Sequence, residues 1–316
     1  MTRTDERHAS VLFQPAINFL RVRADGTYLD CTLGLGGHSE GIVRKLGPQG
    51  HLIAFDRDPE AMSLAKVRLA RVVNEMGSEA PRITLVGEAF SNVAKHVQPA
   101  SLDGLLADFG ASSLQFDEAY RGFSFQADGP LDMRMDTRQG RTAEQVVNEA
   151  DERELADLIY EYGDERRSRR IARAIVRARP ISTTAELAQV ISAAAPSMKG
   201  DKIHPATRTF QALRIRVNNE LGEIRSLLES APSLLKPGGR LVLISFHSLE
   251  DRLVKDAFRE ASHNGIFEVL TKKPVVATEQ EEMRNPRSRS AKLRAAERLG
   301  TQGSRQGRAS KYSNKS

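Results

Sequence analysis

Between Tyr28 and Phe109, short apolar runs alternate with stretches that carry the spacing of amphipathic helices. Alternation of this kind predicts a parallel β-sheet with helices packed on both faces. Asp58 followed by Pro59 marks one helix start, because aspartate accepts free N–H groups at an N-cap and proline suits the first turn. The expected elements are strands at 27–31, 51–56, 83–86 and 102–108, and helices at 38–45 and from residue 58 onwards.

The alternation stops after Asp108 and returns near the end of the chain. Residues 142–195 form amphipathic helical patterns rich in Arg, Glu and Ala, with no strand-like run between them. The sequence therefore predicts an α/β fold with a doubly wound, mostly parallel sheet and an inserted all-helical domain. The later elements are expected at 219–235 (helix), 240–246 (strand), 249–261 (helix) and 267–277 (a strand pair). The expected domains are 1–115, a helical insert at 116–212, 213–300, and a basic disordered tail at 301–316.

A glycine-rich turn, Gly34-Leu35-Gly36-Gly37, follows the first predicted strand, and the second strand closes on Asp56. Glycines let the backbone approach a ligand and leave the first N–H groups of the next helix free, while an acid after the second strand can accept ribose hydroxyls. The order favours a nucleotide-cofactor pocket. A nicotinamide dinucleotide would prefer a third glycine where Ser39 and Glu40 stand.

Acidic residues around this turn favour a cationic cofactor. Asp30 and Glu40 bring negative charge, and Asp108 ends the fourth strand at the edge where open α/β sheets bind ligands. S-adenosylmethionine carries a sulfonium and an ammonium and no pyrophosphate, so these acids attract it. Phe90 follows the third strand and is a candidate cover for the adenine, with a core position as the alternative.

The net charge of +6 is concentrated near the end of the chain. Residues 284–315 carry ten Lys or Arg and one acid, a net +9, which leaves about −3 for the rest. Clustered cations favour a polyanion partner, and a solvated disordered end is the alternative.

The chain has a single cysteine, Cys31, which excludes a disulfide framework, and its polar start excludes a secretory signal. A cytoplasmic location is therefore expected. No apolar run is long enough to span a membrane.

Several long motifs resemble the bacterial ribosomal RNA small subunit methyltransferase H family, also called MraW, from about residue 8 to residue 298. The motifs are Gly36-Gly37-His38-Ser39, Phe55-Asp56-Arg57-Asp58-Pro59, Arg121-Gly122-Phe123-Ser124-Phe125, Asp128-Gly129-Pro130-Leu131-Asp132-Met133-Arg134-Met135, His204-Pro205-Ala206-Thr207-Arg208-Thr209-Phe210-Gln211-Ala212-Leu213-Arg214-Ile215, Ile244-Ser245-Phe246-His247-Ser248-Leu249-Glu250-Asp251-Arg252 and Asn285-Pro286-Arg287-Ser288-Arg289-Ser290.

The resemblance implies a class I methyltransferase sheet with a helical insert. It implies an S-adenosylmethionine-dependent enzyme that methylates the exocyclic N4 of one cytosine in the decoding region of 16S ribosomal RNA. Its partner is 16S rRNA within the small ribosomal subunit, and a homodimer is left open. The family's cofactor contacts correspond to Gly36, Gly37, His38, Asp56, Phe90, Asp108 and Gln115.

Methyl transfer to an amine needs an acceptor for the N–H and no metal, and the histidines lack metal-ligand spacing. Asp108 is the first candidate acceptor, with Asp132 and His247 as helpers.

The alternatives to an RNA methyltransferase are a dehydrogenase, a non-catalytic RNA-binding protein and a DNA methyltransferase. A hydrolase is disfavoured, because Ser245 lacks the Gly-x-Ser-x-Gly context. By charge, the candidate RNA ligands are Arg134, Arg208, Arg214 and Arg252.

Overall fold

The computed structural model describes residues 10–197, Gly200 and 203–300. These residues form two compact units. One comprises the described residues up to Gly110 and from Glu223 onwards, and the other is Ala111–Gly222. The predicted helical insert, 116–212, lies within the second unit and is shorter at both ends. The predicted basic tail, 301–316, lies outside the described residues.

The first unit is built on a seven-stranded sheet with strand order β3-β2-β1-β4-β5-β7-β6. Strands β1 to β5 pair in parallel, whereas β7 runs antiparallel to both of its neighbours. The predicted mostly parallel sheet is therefore confirmed. The strands are β1 (Thr27–Asp30), β2 (His51–Phe55), β3 (Arg82–Val86), β4 (Leu102–Asp108), β5 (Leu235–Ser245), β6 (Phe267–Val269) and β7 (Lys292–Arg298).

The described helices follow the predicted alternation in the first unit and succeed one another without strands in the second. They are α1 (Phe13–Leu20), α2 (Gly37–Val43), α3 (Pro59–Met76), α4 (Val93–His96), α5 (Ser113–Asp117), α6 (Ala143–Glu149), α7 (Glu152–Gly163), α8 (Ser168–Ala178), α9 (Thr184–Ala194), α10 (Ala206–Asn218), α11 (Glu220–Leu234), α12 (Ser248–His263) and α13 (Glu279–Arg284).

The start of α3 forms as the sequence predicts. The Asp58 carboxylate accepts the N–H groups of Glu60 and Ala61, and Pro59 occupies the first turn. The apolar face of this helix buries Ala65, Leu69 and Val72 against the sheet core. In the described part of the chain, every helix is too short or too polar to traverse a bilayer.

The prediction for the last strands is wrong in two places. The fifth strand begins at Leu235 rather than residue 240, because Leu235 pairs with Leu102 before Lys236–Gly239 loop out in a bulge. The second strand of the final pair is Lys292–Arg298 rather than a segment within 267–277. The first part of the basic segment is therefore the strand that lies between β5 and β6.

The helical unit has its own apolar core. The helices α6 to α10 contribute buried side chains such as Val147, Leu155, Ile171, Leu187 and Leu213. Each of these is essentially excluded from solvent, so the unit meets the basic requirement of a separate domain.

Candidate functional site

Three acidic residues lie at the carboxyl ends of neighbouring parallel strands. Asp30 ends β1, Asp56 follows β2, and Asp108 ends β4. β1 lies between β2 and β4, so the chain order reverses direction across the sheet at β1. Open α/β sheets bind ligands at such a reversal, outside the carboxyl edge. The predicted position of the pocket therefore agrees with the sheet topology.

The glycine-rich turn closes tightly over this edge. Gly34 and Gly36 adopt φ values of 49° and 79°, the left-handed region that favours glycine. Gly36 is the N-cap of α2 and supplies no capping side chain. A Cβ on Gly37 would overlap with the hydroxyl of Ser10, so the N-terminal segment packs directly on the turn. The helix α2 therefore begins at two glycines, and no side chain caps the N–H groups of its first turn.

Asp56 holds the turn and the following loop together. Its Oδ2 accepts the Gly34 N–H at 2.7 Å, and its Oδ1 accepts the Asp58 N–H at 2.9 Å. Burial raises the pKa of Asp56 to about 6, against the lowering effect of these two N–H donors. Each carboxylate oxygen retains a second lone pair, which a sugar hydroxyl could use.

Asp30 was expected to attract a cationic cofactor, but its carboxylate is engaged in hydrogen bonds within the protein. Its side chain is buried, and its oxygens accept the Ser39 hydroxyl at 2.7 Å and the Thr32 N–H at 3.1 Å. Burial raises the pKa of Asp30 to about 6. Asp30 therefore fixes the turn to the start of α2, and its charge acts on the pocket at a distance. The sequence reasoning missed Thr32 and Ser39 as its partners.

Asp108 is anchored through its backbone and leaves its carboxyl group largely unused. Its N–H donates to the Thr32 hydroxyl at 2.7 Å. Oδ1 is buried and has no hydrogen-bond partner among the described residues. Burial raises the pKa of Asp108 well above its ordinary value, and the nearby charges of Asp30 and Glu250 raise it further. An unsatisfied buried acceptor of this kind is costly unless a ligand completes it.

His38 is buried beside Asp108. Its Nε2 lies 3.1 Å from the Val11 carbonyl oxygen, and its Nδ1 lies 3.8 Å from Asp108 Oδ2. A carbonyl oxygen only accepts, so Nε2 carries the proton and Nδ1 presents a lone pair. Burial lowers the pKa of His38 to about 4, and the imidazole is therefore neutral near pH 7. The ring of Phe13 stacks on the other side at 6.0 Å between centroids.

The two remaining predicted cofactor residues have different surroundings. Phe90 begins a 3-10 turn, Phe90–Asn92, after β3, and its ring lies 6.0 Å from that of Phe109. Phe90 is partly buried, and this burial is compatible both with a cover for the adenine and with a position at the margin of the core. Gln115 belongs to the helical unit, where it is buried and forms a reciprocal capping box with Ser112 at the start of α5.

His247 lies at the N-cap of α12, after β5. Its Nδ1 accepts the Glu250 N–H, and the Glu250 carboxylate accepts the N–H groups of Phe246 at 2.7 Å and His247 at 3.3 Å. This is a capping box with histidine at the cap. The spacing His-x-x-Glu was the signal that could have identified Glu250, which is fully buried, as a structural partner.

The predicted catalytic and RNA-binding residues of the helical unit are mostly paired. Asp132 accepts two hydrogen bonds of 2.8 Å from Arg134. Arg214 forms a bidentate pair with Glu220 at 2.8 and 2.9 Å. Arg208 is exposed and donates to the Asp164 carbonyl at 2.9 Å.

Arg252, in the sheet unit, is exposed on α12. Arg208 and Arg252 are thus the two predicted RNA ligands that are exposed, whereas Arg134 is partly buried and Arg214 is held in a largely buried ion pair. Exposure makes the first two accessible to a phosphate backbone.

The site suits an adenosine cofactor with a positive charge. It combines N–H groups at a bare helix start, an acid with spare lone pairs after β2, and an unsatisfied buried carboxyl oxygen on Asp108. Among the described residues, the basic side chain beside Asp108 is that of His38, which is neutral near pH 7, so a cationic ligand would complete the environment of the carboxyl group. The donor set therefore fits S-adenosylmethionine.

Comparison with known proteins agrees with this fit. The sequence profile of the MraW methylase family matches residues 5–299. A protein of Acidobacterium capsulatum named "Ribosomal RNA small subunit methyltransferase H" is 69% identical over 293 residues, covering 93% of this chain and 99% of that protein. Proteins with the same name from Koribacter versatilis and Acaryochloris marina are 62% and 50% identical, each covering 92% of this chain and 94% of the relative. The chain belongs to the MraW methylase family, and its methyl donor is S-adenosylmethionine.

Proposed function

We propose that this protein methylates ribosomal RNA of the small subunit, at the exocyclic N4 of one cytosine in the decoding region of 16S rRNA. The rRNA substrate is supported by relatives of 50 to 69% identity that are named for small-subunit rRNA methylation. The choice of nucleotide rests on the family resemblance of the motifs. The substrate is the 16S rRNA of the small ribosomal subunit, which places the reaction in the cytoplasm.

The buried, unsatisfied Oδ1 of Asp108 is the observation that carries the chemical part of the proposal. The cytosine amino group is a poor nucleophile, because its lone pair is delocalised into the ring. An acceptor that holds one N–H localises that lone pair and takes up the proton after transfer. Asp108 ends β4 at the sheet edge, where the ligand is expected, and its free oxygen can accept this N–H.

Methyl transfer to N4 leaves one proton to be taken up. When bound, S-adenosylmethionine would supply an electrophilic methyl group on a cationic sulfur, and the S–C bond would break as the N4 lone pair forms the new N–C bond. One N4 proton would pass to the Asp108 carboxylate. The role of the protein is then to fix the in-line geometry and to hold the proton.

Asp108 is preferred over the other two predicted catalytic residues because of their contacts. Asp132 is bidentately paired with Arg134, and His247 uses Nδ1 to cap α12. These contacts give both residues a structural task, whereas the Asp108 carboxyl oxygen Oδ1 has no hydrogen-bond partner among the described residues. We assign these two residues supporting roles, in which Asp132 orders its loop and His247 orders the segment after β5.

We assign the cofactor contacts to residues that border the sheet edge. The Gly36 N–H donates to the Leu33 carbonyl at 2.7 Å, so Gly36 would contribute a bare backbone surface. The Gly37 N–H would meet the carboxylate of the methionine part, and Asp56 would accept the ribose hydroxyls. His38 and Asp108 border the same turn, and Phe90 would cover the adenine. Gln115, buried at the start of α5, is assigned from the family motif.

The helical unit is proposed to bind the RNA. An exocyclic amine inside a stacked duplex is out of reach, so the target base must be turned out of its stack. Arg208 in this unit is an exposed cation that can contact an RNA phosphate, and Arg252 on α12 is an exposed cation of the sheet unit that can do the same. Arg134 and Arg214 are paired with acids and would serve mainly to shape their loops.

Mass spectrometry of small-subunit RNA tests the proposal. Cells that lack the protein should miss one methyl group on one cytosine, and expression of the unaltered protein should restore it. Expression of Asp108→Asn should not restore it, whereas the surface variant Asp25→Asn, whose side chain is 77% exposed, should. Unchanged methylation of 16S rRNA in cells lacking the protein would refute the substrate assignment.

A further inference from the structure

A chain of contacts runs from α13 to Asp108 through the N-terminal segment Ser10-Val11-Leu12-Phe13. Glu281 Oε1 accepts the Leu12 N–H at 2.6 Å, although the two residues are 269 positions apart in sequence. The preceding carbonyl, that of Val11, accepts from His38 Nε2 at 3.1 Å. His38 Nδ1 in turn lies 3.8 Å from Asp108 Oδ2. All of these residues belong to the sheet unit.

The segment Ser10-Val11-Leu12-Phe13 contains one residue, Leu12, with an uncommon backbone conformation. Leu12 has φ 51° and ψ 35°, the left-handed region that residues with a branched side chain seldom occupy. Its side chain is buried in the core of the sheet unit, and its N–H is directed to Glu281. The turn at Leu12 aims the Val11 carbonyl at His38, so the acceptor on Glu281 helps to place that carbonyl.

We infer that Glu281 is a positioning residue for the methyl-donor site. Through Leu12 and the Val11 carbonyl, it holds His38 as the Nε2–H tautomer, with the Nδ1 lone pair beside Asp108. The Val11 carbonyl can only accept, and this fixes the imidazole proton on Nε2. The other nitrogen then faces a carboxyl oxygen as an acceptor. Loss of the Glu281 contact releases the Leu12 turn and with it the Val11 carbonyl.

The tautomer decides where a proton on Asp108 resides. With the lone pair of Nδ1 next to it, Oδ2 is the favoured oxygen for a carboxyl proton, and a small side-chain rotation brings the 3.8 Å separation to hydrogen-bond length. When the bound donor favours the ionised carboxylate, this proton leaves Oδ2, and Oδ1 is free to accept the substrate N–H and its proton. If the proton of His38 were on Nδ1, that N–H would instead hold a carboxylate and compete with the amine substrate. This last step rests on the proposed function of Asp108, whereas the tautomer itself does not.

Nitrogen-15 NMR on the full chain with labelled histidine tests the inference without any methyl transfer. In the ligand-free protein near pH 7, we expect His38 to be neutral and protonated on Nε2. Glu281→Ala should give a mixture of tautomers and raise the Kd for S-adenosylmethionine roughly tenfold, the usual effect of losing one hydrogen bond to a charged group. Calorimetric titration measures that Kd.

Three matched variants separate positioning from general damage. Glu281→Gln retains an oxygen acceptor and should keep the tautomer and a Kd within about twofold. Glu281→Asp keeps the charge but is one methylene shorter, and it should behave like Glu281→Ala. Glu279→Ala removes an exposed carboxylate from the same helix and should change neither measurement.

A ligand-free wild-type protein with His38 protonated on Nδ1, or on both nitrogens, would overturn the inference without any variant. Glu281→Ala or Glu281→Asp with an unchanged tautomer and Kd would also overturn it. Failure of the proposed function has a different signature: Asp108→Asn would then retain full turnover, while the tautomer of His38 would still be on Nε2.

Discussion

His38 Nδ1 lies 3.8 Å from Asp108 Oδ2, and the two groups have pKa values shifted in opposite directions. Burial lowers the pKa of His38 to about 4 and raises the pKa of Asp108 well above its ordinary value. In the ligand-free protein near pH 7, the His38 imidazole is therefore neutral, and the Asp108 carboxyl is protonated to a larger extent than that of an ordinary aspartate. A cationic donor that binds beside them favours the ionised carboxylate, so binding and ionisation are coupled.

The first prediction concerns the pH dependence of donor binding. Because its raised pKa leaves the Asp108 carboxyl more protonated than an ordinary aspartate, and the sulfonium favours the carboxylate, binding of S-adenosylmethionine should release protons, at most one from this group. Affinity should therefore rise with pH, by at most roughly tenfold per unit, until Asp108 is fully ionised in the free protein. Calorimetry in two buffers of different ionisation enthalpy measures the released protons. In Asp108→Asn the release should disappear, and proton uptake by the wild type would contradict the scheme.

The second prediction concerns turnover. Asp108→Asn removes the group that is proposed to accept the N4 proton and should lower kcat by about 10² to 10⁴ at saturating donor and RNA. The assay is transfer of labelled methyl to small-subunit RNA. Asp25→Asn, on the exposed loop before β1, should leave kcat unchanged. Full turnover by Asp108→Asn would remove Asp108 from the mechanism.

A third prediction separates the backbone strain of the glycine turn from its contact with the donor. Gly36→Ala places a side chain on a residue with φ 79° and within 3.3 Å of the Ala65 Cβ. It should lower the free energy of unfolding by about 1 to 2 kcal/mol and weaken donor binding. Gly238→Ala, at φ 80° with nothing within 4 Å of its Cβ, lies at the other end of the sheet.

Gly238→Ala should therefore destabilise the protein by a similar amount and leave the Kd for the donor unchanged. Urea unfolding and calorimetric titration give the two quantities. Equal loss of donor affinity in both variants would show that the turn acts through stability alone.

A fourth prediction distinguishes two arginines that sequence reasoning treated alike. Arg252→Gln should reduce the slope of log affinity against log salt by about one phosphate contact, with no change in thermal stability. Arg214→Gln leaves Glu220, whose side chain is only 5% exposed, without its cation. It should lower the free energy of unfolding by about 3 kcal/mol.

Filter binding to small-subunit RNA over a range of salt concentrations, with thermal unfolding in parallel, checks both arginine variants. An Arg252→Gln slope equal to that of the wild type would exclude a phosphate contact at this residue.

Local sequence signals predicted the first four strands and the start of α3, because apolar periodicity and the pair Asp58-Pro59 act over a few residues. The strand β7 was missed because its pairing is non-local and its composition is basic. Within the fold, Lys292 and Arg294 share Asp251 as their ion-pair partner, and Glu297 pairs with Arg240, so these charged side chains of the strand have partners that lie far away in sequence.

The candidate site was predictable where it depends on strand ends, as at Asp56 and Asp108. It was not predictable where distant segments meet. The contact between Leu12 and Glu281 spans 269 positions, and neither residue carries a local signal of it. The pairing of Asp132 with Arg134 was also hidden, because a charged residue in a motif does not reveal whether its partner is a neighbour or a substrate.

The position of β7 has a consequence for synthesis of the protein. In the sheet, β6 contacts only β7, so residues 267–269 have no strand to pair with until residues 292–298 have left the ribosomal exit tunnel. Residues 292–298 also pair with the edge of β5 that does not contact β4. The nascent chain must therefore carry the open edges of β5 and β6 until the last stage of its translation, and chaperone capture during that interval would protect it from misassembly.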